Sequence, residues 1–155
     1  MNDHSAVEHP CPERPRWMAV LARAPAGRLE ALLDAVGERP AYTLLRAPES
    51  GLVMVRGRIG GGGAAFNLGE MTVTRCAVCI DSGPIGHAYV TGRASRRAEL
   101  AALVDALMQD PARTEALEAR VIAPLEQEQA DRQAQRAGKA AATRVQFFAM
   151  QTMRT

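Results

Sequence analysis

The chain has 155 residues, 47% hydrophobic and 23% charged, with a formal net charge of +2. That length suits one domain with a core of useful size, and so mild a charge argues against a dedicated nucleic-acid binder. No apolar run approaches the ~18 residues of a membrane span, and aromatics are only 4% of the chain, so Leu, Val, Met and Ala must build the core.

Residues 1–14 are polar, lack the apolar core of a signal peptide, and are expected to be a disordered lead. With three cysteines and no export signal, the expectation is a reduced, cytoplasmic setting. Over 15–38, Trp17, Val20 and Leu21 and then Leu29, Leu32, Leu33 and Val36 repeat at helical spacing. Pro15 suits a first turn, Pro25 interrupts, and Gly37 suits a stop. Residues 41–47 read as a strand, Pro48-Glu49-Ser50-Gly51 as a turn, and 52–59 as the returning strand. A glycine run (Gly60, Gly61, Gly62, Gly63) follows, then strands over 70–80 and 85–92 joined by Asp81-Ser82-Gly83-Pro84. The expectation is α+β, an antiparallel four-stranded meander over about 41–47, 52–59, 70–80 and 85–92. N-terminal helices precede it and two or more C-terminal helices follow.

Ser95 reads as the cap of an amphipathic helix with Leu100, Leu103, Val104, Leu107 and Met108 on one face. Asp110-Pro111 opens another helical run, which Pro124 should break or kink. Residues 126–142 hold no large apolar side chain, and Phe147 and Phe148 follow as an apolar tip. The domain reading is a lead over 1–14, one α+β domain over 15–125, and a polar helical arm over 126–155. Its tip either docks on a partner or folds back on its own sheet.

The glycine run lacks the chemistry of the common nucleotide loops. A P-loop needs Lys and Ser/Thr after its last glycine, but Ala64, Ala65 and Phe66 follow, and the chain's one lysine is Lys139. A dinucleotide loop must open a helix, and here a strand pattern comes next. What distinguishes the loop is its neighbours. Arg56 and Arg58 share one face of a strand, about 6.5 Å apart, beside glycine amides, a pattern that suits an anion. A solvated face or a salt bridge to Glu70 is the alternative. Arg75 follows on the next strand. Arg93, Arg96 and Arg97 flank a helix start, where cations are mildly unfavourable without an anion or solvent. Cys76 and Cys79 face opposite sides of a strand, so they should not share a metal, and no second pair completes a zinc set. His87 suits either a base or a hydrogen-bonded structural residue. The residues alone indicate an α+β domain with a basic glycine loop and no complete catalytic set.

Ordered signatures resemble one family over nearly the whole chain after the lead. They include Trp17-Met18-x-Val20-Leu21-Ala22, then Leu45-Arg46-x-Pro48-Glu49-x-Gly51-Leu52-Val53-Met54-Val55-Arg56. Arg58 through the four glycines to Ala64-x-Phe66-Asn67-Leu68-Gly69-Glu70-Met71-Thr72-Val73-Thr74-Arg75-Cys76 follows. Then come Gly86-His87-x-Tyr89-Val90-x-Gly92-Arg93 and Ala142-Thr143-x-Val145-x-Phe147-Phe148. The chain resembles the PhnG family of bacterial carbon–phosphorus lyase subunits; Cys79 departs from a position where that family often carries arginine.

The resemblance implies phosphonate catabolism in a symmetric core complex with PhnH-, PhnI- and PhnJ-type subunits, a PhnI-like chain being the direct contact expected. It implies a share in forming α-D-ribose 1-methylphosphonate 5-triphosphate from ATP and methylphosphonate, with loss of adenine. ATP is then a substrate of the complex, and this chain alone binds no cofactor. Arg56, Arg58, Gly60 to Gly63, Arg75 and Arg93 become candidates for anion or interface contacts, and Phe147 and Phe148 for docking. A purely structural assembly subunit and a free-standing anion or nucleotide binder are the alternatives.

Overall fold

The computed structural model describes residues 11–58, 63–80 and 83–143. Helix α1 (Arg14–Arg23) carries Pro15 in its first turn, and α2 spans Ala26–Val36. The helical pattern of 15–38 divides at Pro25, because a residue before proline is pushed out of the helical region; Ala24 accordingly has ψ 136°. Helix α2 stops at Gly37, whose φ of 145° disfavours a side chain. Trp17, Val20 and Leu21 of α1 and Leu29 and Leu33 of α2 face the core.

The sheet has three strands among the described residues, not the expected four: β1 (Tyr42–Gly57), β2 (Phe66–Ile80) and β3 (Ile85–Thr91), antiparallel in the order β1-β2-β3. The turn expected at 48–51 lies inside β1. Its register slips between Arg46↔Ala77 and Glu49↔Arg75, so Pro48 falls at an irregularity. Proline is tolerated there because β1 is an edge strand that needs no N–H toward solvent. One long bulged strand therefore replaces the expected hairpin. Strand β2 also begins four residues before the expected 70: Phe66, Asn67 and Gly69 pair with β1, and Leu68 falls at a register shift.

Helix α3 (Ser95–Leu107) packs across β2 and β3. Its N-cap is Ala94 and not Ser95, and no side chain caps it. It is buried on nearly every side: Ala98 and Leu100 to Met108 are all inside, as expected of a helix enclosed by sheet and helices. Its backbone passes so close to β3 that a Cβ on Gly86 would collide with the Ala102 carbonyl and the Ala106 side chain. Helix α4 (Pro111–Leu117) starts at Asp110, whose carboxylate accepts from the Ala112 N–H at 3.0 Å. A π turn (Glu118–Ile122) joins it to α5 (Ala123–Ala142) without a break. Pro124 thus does not end the helix. The Ala123 N–H reaches back five residues to the Glu118 carbonyl, and this wider turn makes room for a ring that would clash with a regular ladder.

One buried carboxylate joins three of these elements. Asp105 on α3 is 0% exposed. It accepts from Arg14 (2.8 and 3.2 Å), from Trp17 Nε1 (2.8 Å) and from the His87 backbone N–H (2.9 Å). Removing it takes the carboxylate away from a part-buried guanidinium and leaves two further donors to find another acceptor. Replacement of Asp105 by alanine should therefore cost about 3–5 kcal/mol, read as a fall in the urea midpoint. An unchanged midpoint would show that the network is dispensable.

Candidate functional site

Strand β3 pairs with β2 only from Cys79 to Val73, while β1 continues along β2 to Phe66. The segments 52–57 and 66–72 therefore form a two-stranded ribbon beyond the three-stranded body. At its base, buried Thr74 donates to the Gly92 carbonyl (2.6 Å), accepts from the Ala94 N–H (3.0 Å) and meets the Ser50 hydroxyl (3.0 Å). Along the ribbon, Leu52 is 65% exposed, and Met54, Phe66, Leu68 and Met71 are also exposed. Two strands alone are marginal in water, so an apolar ribbon of this kind is suited to contact with something else.

Arg56 and Arg58 lie toward the far end of this ribbon. Exposed Leu52, Met54, Arg56 and Arg58 alternate with half-buried Val53, Val55 and Gly57; the period of two puts Arg56 on the face of Leu52 and Met54, while Arg58 lies one residue past the end of β1. Arg56 donates to the Ala65 carbonyl (3.3 Å) and not to Glu70. A Cβ on Gly63 would meet nothing within 4 Å; Gly60, Gly61 and Gly62 lie outside the described residues.

The other candidates are not gathered there. Arg75 is on the reverse face, opposite Glu49, and pairs with it. That hydrogen bond first of all holds the Glu49 carboxyl below its usual range and raises the Arg75 guanidinium. Arg93 is exposed next to Gly92, whose N–H bonds the Thr72 carbonyl at the ribbon base. Thr72 pairs with Leu52, four residues and about 13 Å along the strand from Arg56. Arg96 is engaged by Glu30 and Arg97 by the Thr91 carbonyl. Phe147 and Phe148 lie outside the described residues.

The cysteines do not form a unit. Cys76 is buried against the helices, with its thiol 3.3 Å from the Arg46 carbonyl, and burial pushes it up to about 11. Cys79, one face over, sits 3.5 Å from the Gly83 carbonyl. Among the described residues, no group of three or more His, Cys, Asp or Glu is placed to hold a metal, and no helix is long and apolar enough to cross a membrane. His87 spends its backbone N–H on Asp105. Sequence reasoning missed Asp105 and Arg14. The signal available was a single acid amid the apolar residues of α3, which called for a cation or donors from elsewhere.

Two comparisons bear on this arrangement. The family model described as phosphonate metabolism protein PhnG matches residues 12–153. A protein of Rhizobium meliloti (strain 1021), named alpha-D-ribose 1-methylphosphonate 5-triphosphate synthase subunit PhnG, is 48% identical over 141 residues, covering 89% of this chain and 88% of that protein.

The thiol environments yield a direct expectation. Since only a thiolate is nucleophilic, and Cys76 stays protonated until about pH 11, an alkylating reagent at pH 8 should modify exposed Cys11 and leave Cys76 intact in the folded protein. Mass spectrometry of the labelled chain checks this; rapid labelling of Cys76 would contradict the burial.

Proposed function

The chain belongs to the phosphonate metabolism PhnG family, and on that premise we propose that it is the PhnG-type subunit of an α-D-ribose 1-methylphosphonate 5-triphosphate synthase. The observation that carries the reading is 48% identity over 89% of the chain to a protein of that name. In the reaction, a methylphosphonate oxygen attacks C1′ of ATP, the C1′–N bond breaks, and adenine leaves with the bonding pair and takes up a proton. The substrates bring a triphosphate and a phosphonate into one site, and this chain's part is to help carry that negative charge. Arg56 near the outer end of the ribbon and Arg58 just past it, with the glycine run next in sequence, are the groups suited to it, because guanidinium forks match phosphate oxygens. The base-displacing chemistry falls to a PhnI-type chain, with PhnH- and PhnJ-type chains completing the assembly. A cytoplasmic setting, where ATP is available, fits the three free thiols.

A second reading has its own support. The exposed apolar side chains of the ribbon, Leu52, Met54, Phe66, Leu68 and Met71, are suited to packing on another subunit, so the ribbon could serve assembly alone. The two readings separate on one experiment. The chain is co-expressed with its neighbouring phosphonate-operon proteins, and both native mass and adenine release are measured. For the substrate reading, Arg56→Ala and Arg58→Ala should each lower turnover about 10- to 100-fold, from the ~1.5–3 kcal/mol of a lost charged hydrogen bond, with the complex intact. Loss of the complex instead would assign the ribbon to assembly. Full turnover in both variants would remove the arginines from the site.

A further inference from the structure

A groove of about 1080 Å³ opens between the start of α1, the end of α3 and α4. Trp17, Met18 and Met108 give it an apolar lining, and Glu13, Glu115 and Glu118 bring three carboxylates to it. Glu13 and Glu118 also contact Arg16, and the one arginine in the lining, Arg14, is held by Asp105. An apolar groove bordered by acids suits a segment with large apolar side chains, positive charge and no acid.

The chain itself contains such a segment. Residues 144–155 carry Val145, Phe147, Phe148, Met150 and Met153, with Arg144 and Arg154 and no Asp or Glu. Residues 1–10, next to the groove in sequence, carry Asp3 and Glu8, no Arg or Lys, and Val7 as the one large aliphatic beyond Met1, so charge and apolar content both disfavour them.

Phe147 and Phe148 are too close to the end of α5 in sequence to reach the groove of their own chain. The helical path from α4 to α5 runs alongside α1 and away from the groove. Near the start of α1, Arg16 meets Glu118 (2.6 Å) and Glu126 (2.8 Å), and farther along Gln129 donates to the Val20 carbonyl (2.8 Å). From Glu118 to Thr143 a helical path of 25 residues covers about 37 Å. Phe148 is five residues beyond Thr143, at most about 18 Å even fully extended. The two phenylalanines can therefore meet this groove only on another molecule.

We propose that this groove receives the segment around Phe147 and Phe148 of a second copy of the chain, the two copies exchanging segments about a two-fold axis. Each phenylalanine buries about 150–250 Å². Four of them in a reciprocal exchange, counted with the groove surfaces they cover, reach the ~1,200–2,000 Å² of a stable interface. The exchange is isologous and closes at two copies. It stands independently of the synthase reading.

Cys11 lines the groove and is exposed, which supplies the test. In the full chain carrying Phe148→Cys, mild oxidation should give a dimer on a non-reducing gel, and adding Cys11→Ser should remove it. Without oxidant, Phe147→Ala with Phe148→Ala should weaken dimerisation at least tenfold by native mass spectrometry, while the circular dichroism spectrum is unchanged. A disulfide formed within one chain would overturn the proposal, since the segment then fills its own groove. A chain that is monomeric at high micromolar concentration would overturn it as well. So would a dimer indifferent to both phenylalanines, or protection of the segment only on addition of a PhnI-type chain.

Discussion

The buried carboxylate of Asp105 is the constraint on which the rest of the arrangement rests. An ionised side chain inside a protein is unfavourable unless its oxygens are fully engaged, and here four donors engage it. Satisfying it fixes α1 against α3 and β3. With α1 in place, Arg16 is positioned to meet Glu13, Glu118 and Glu126. The hydrogen bond to Glu118 is the main reason its guanidinium is held even more firmly charged than usual. That cluster aligns the α4–α5 path with α1. One wall of the groove, the direction of the arm and the seat of β3 thus descend from a single polar network in which the α1 donors lie some ninety residues from Asp105 in sequence.

Around this body the molecule is asymmetric. One face of the sheet is covered by α3, and the ribbon runs on past the end of β3 with apolar side chains in water. At another side, α5 extends beyond its last anchoring contact, with its residues from Gln133 onward exposed. A chain that acted alone would gain little from two such projections. A relative in the same family is named as a synthase subunit, and both projections leave surface open to contact, with Arg56 toward the outer end of the ribbon.

Much of the fold could be read from the residues, and the failures share a cause. The helical stripes of α1 and α2 and the division at Pro25 follow from local periodicity and proline geometry. The order of signature residues identified the family, which no single motif could do. Pro48-Glu49-Ser50-Gly51 was misread because turn residues and an edge-strand irregularity look alike until the neighbouring strand is known. Helix α3 looked amphipathic because its alanines carry little apolar weight, yet they are as buried as its leucines. Arg75 and Arg93 looked like companions of Arg56 and Arg58. Pleat direction and strand length separate them, and neither is visible without the pairing register. The partners of Asp105 come from distant segments, beyond the reach of any local pattern.

The π turn at Glu118–Ile122 has a consequence for how such an arm can be re-aimed. A π turn holds one residue more than an α turn, and each residue advances a helix by about 100°. Downstream of it, Ala130, Ala134, Ala137 and Ala141 fall along one side of α5, and Arg132, Arg136 and Lys139 along the opposite side. The wide turn therefore absorbs the extra residue without passing it on as a rotation. A single deletion within Glu118–Ile122 would restore an ordinary helix and leave the alanine side facing as it does now. The same deletion beyond Gln129, where the helix is regular, would turn every later side chain by about 100°, more than a quarter of a revolution. The arm tolerates a change of length at its root and not along its shaft.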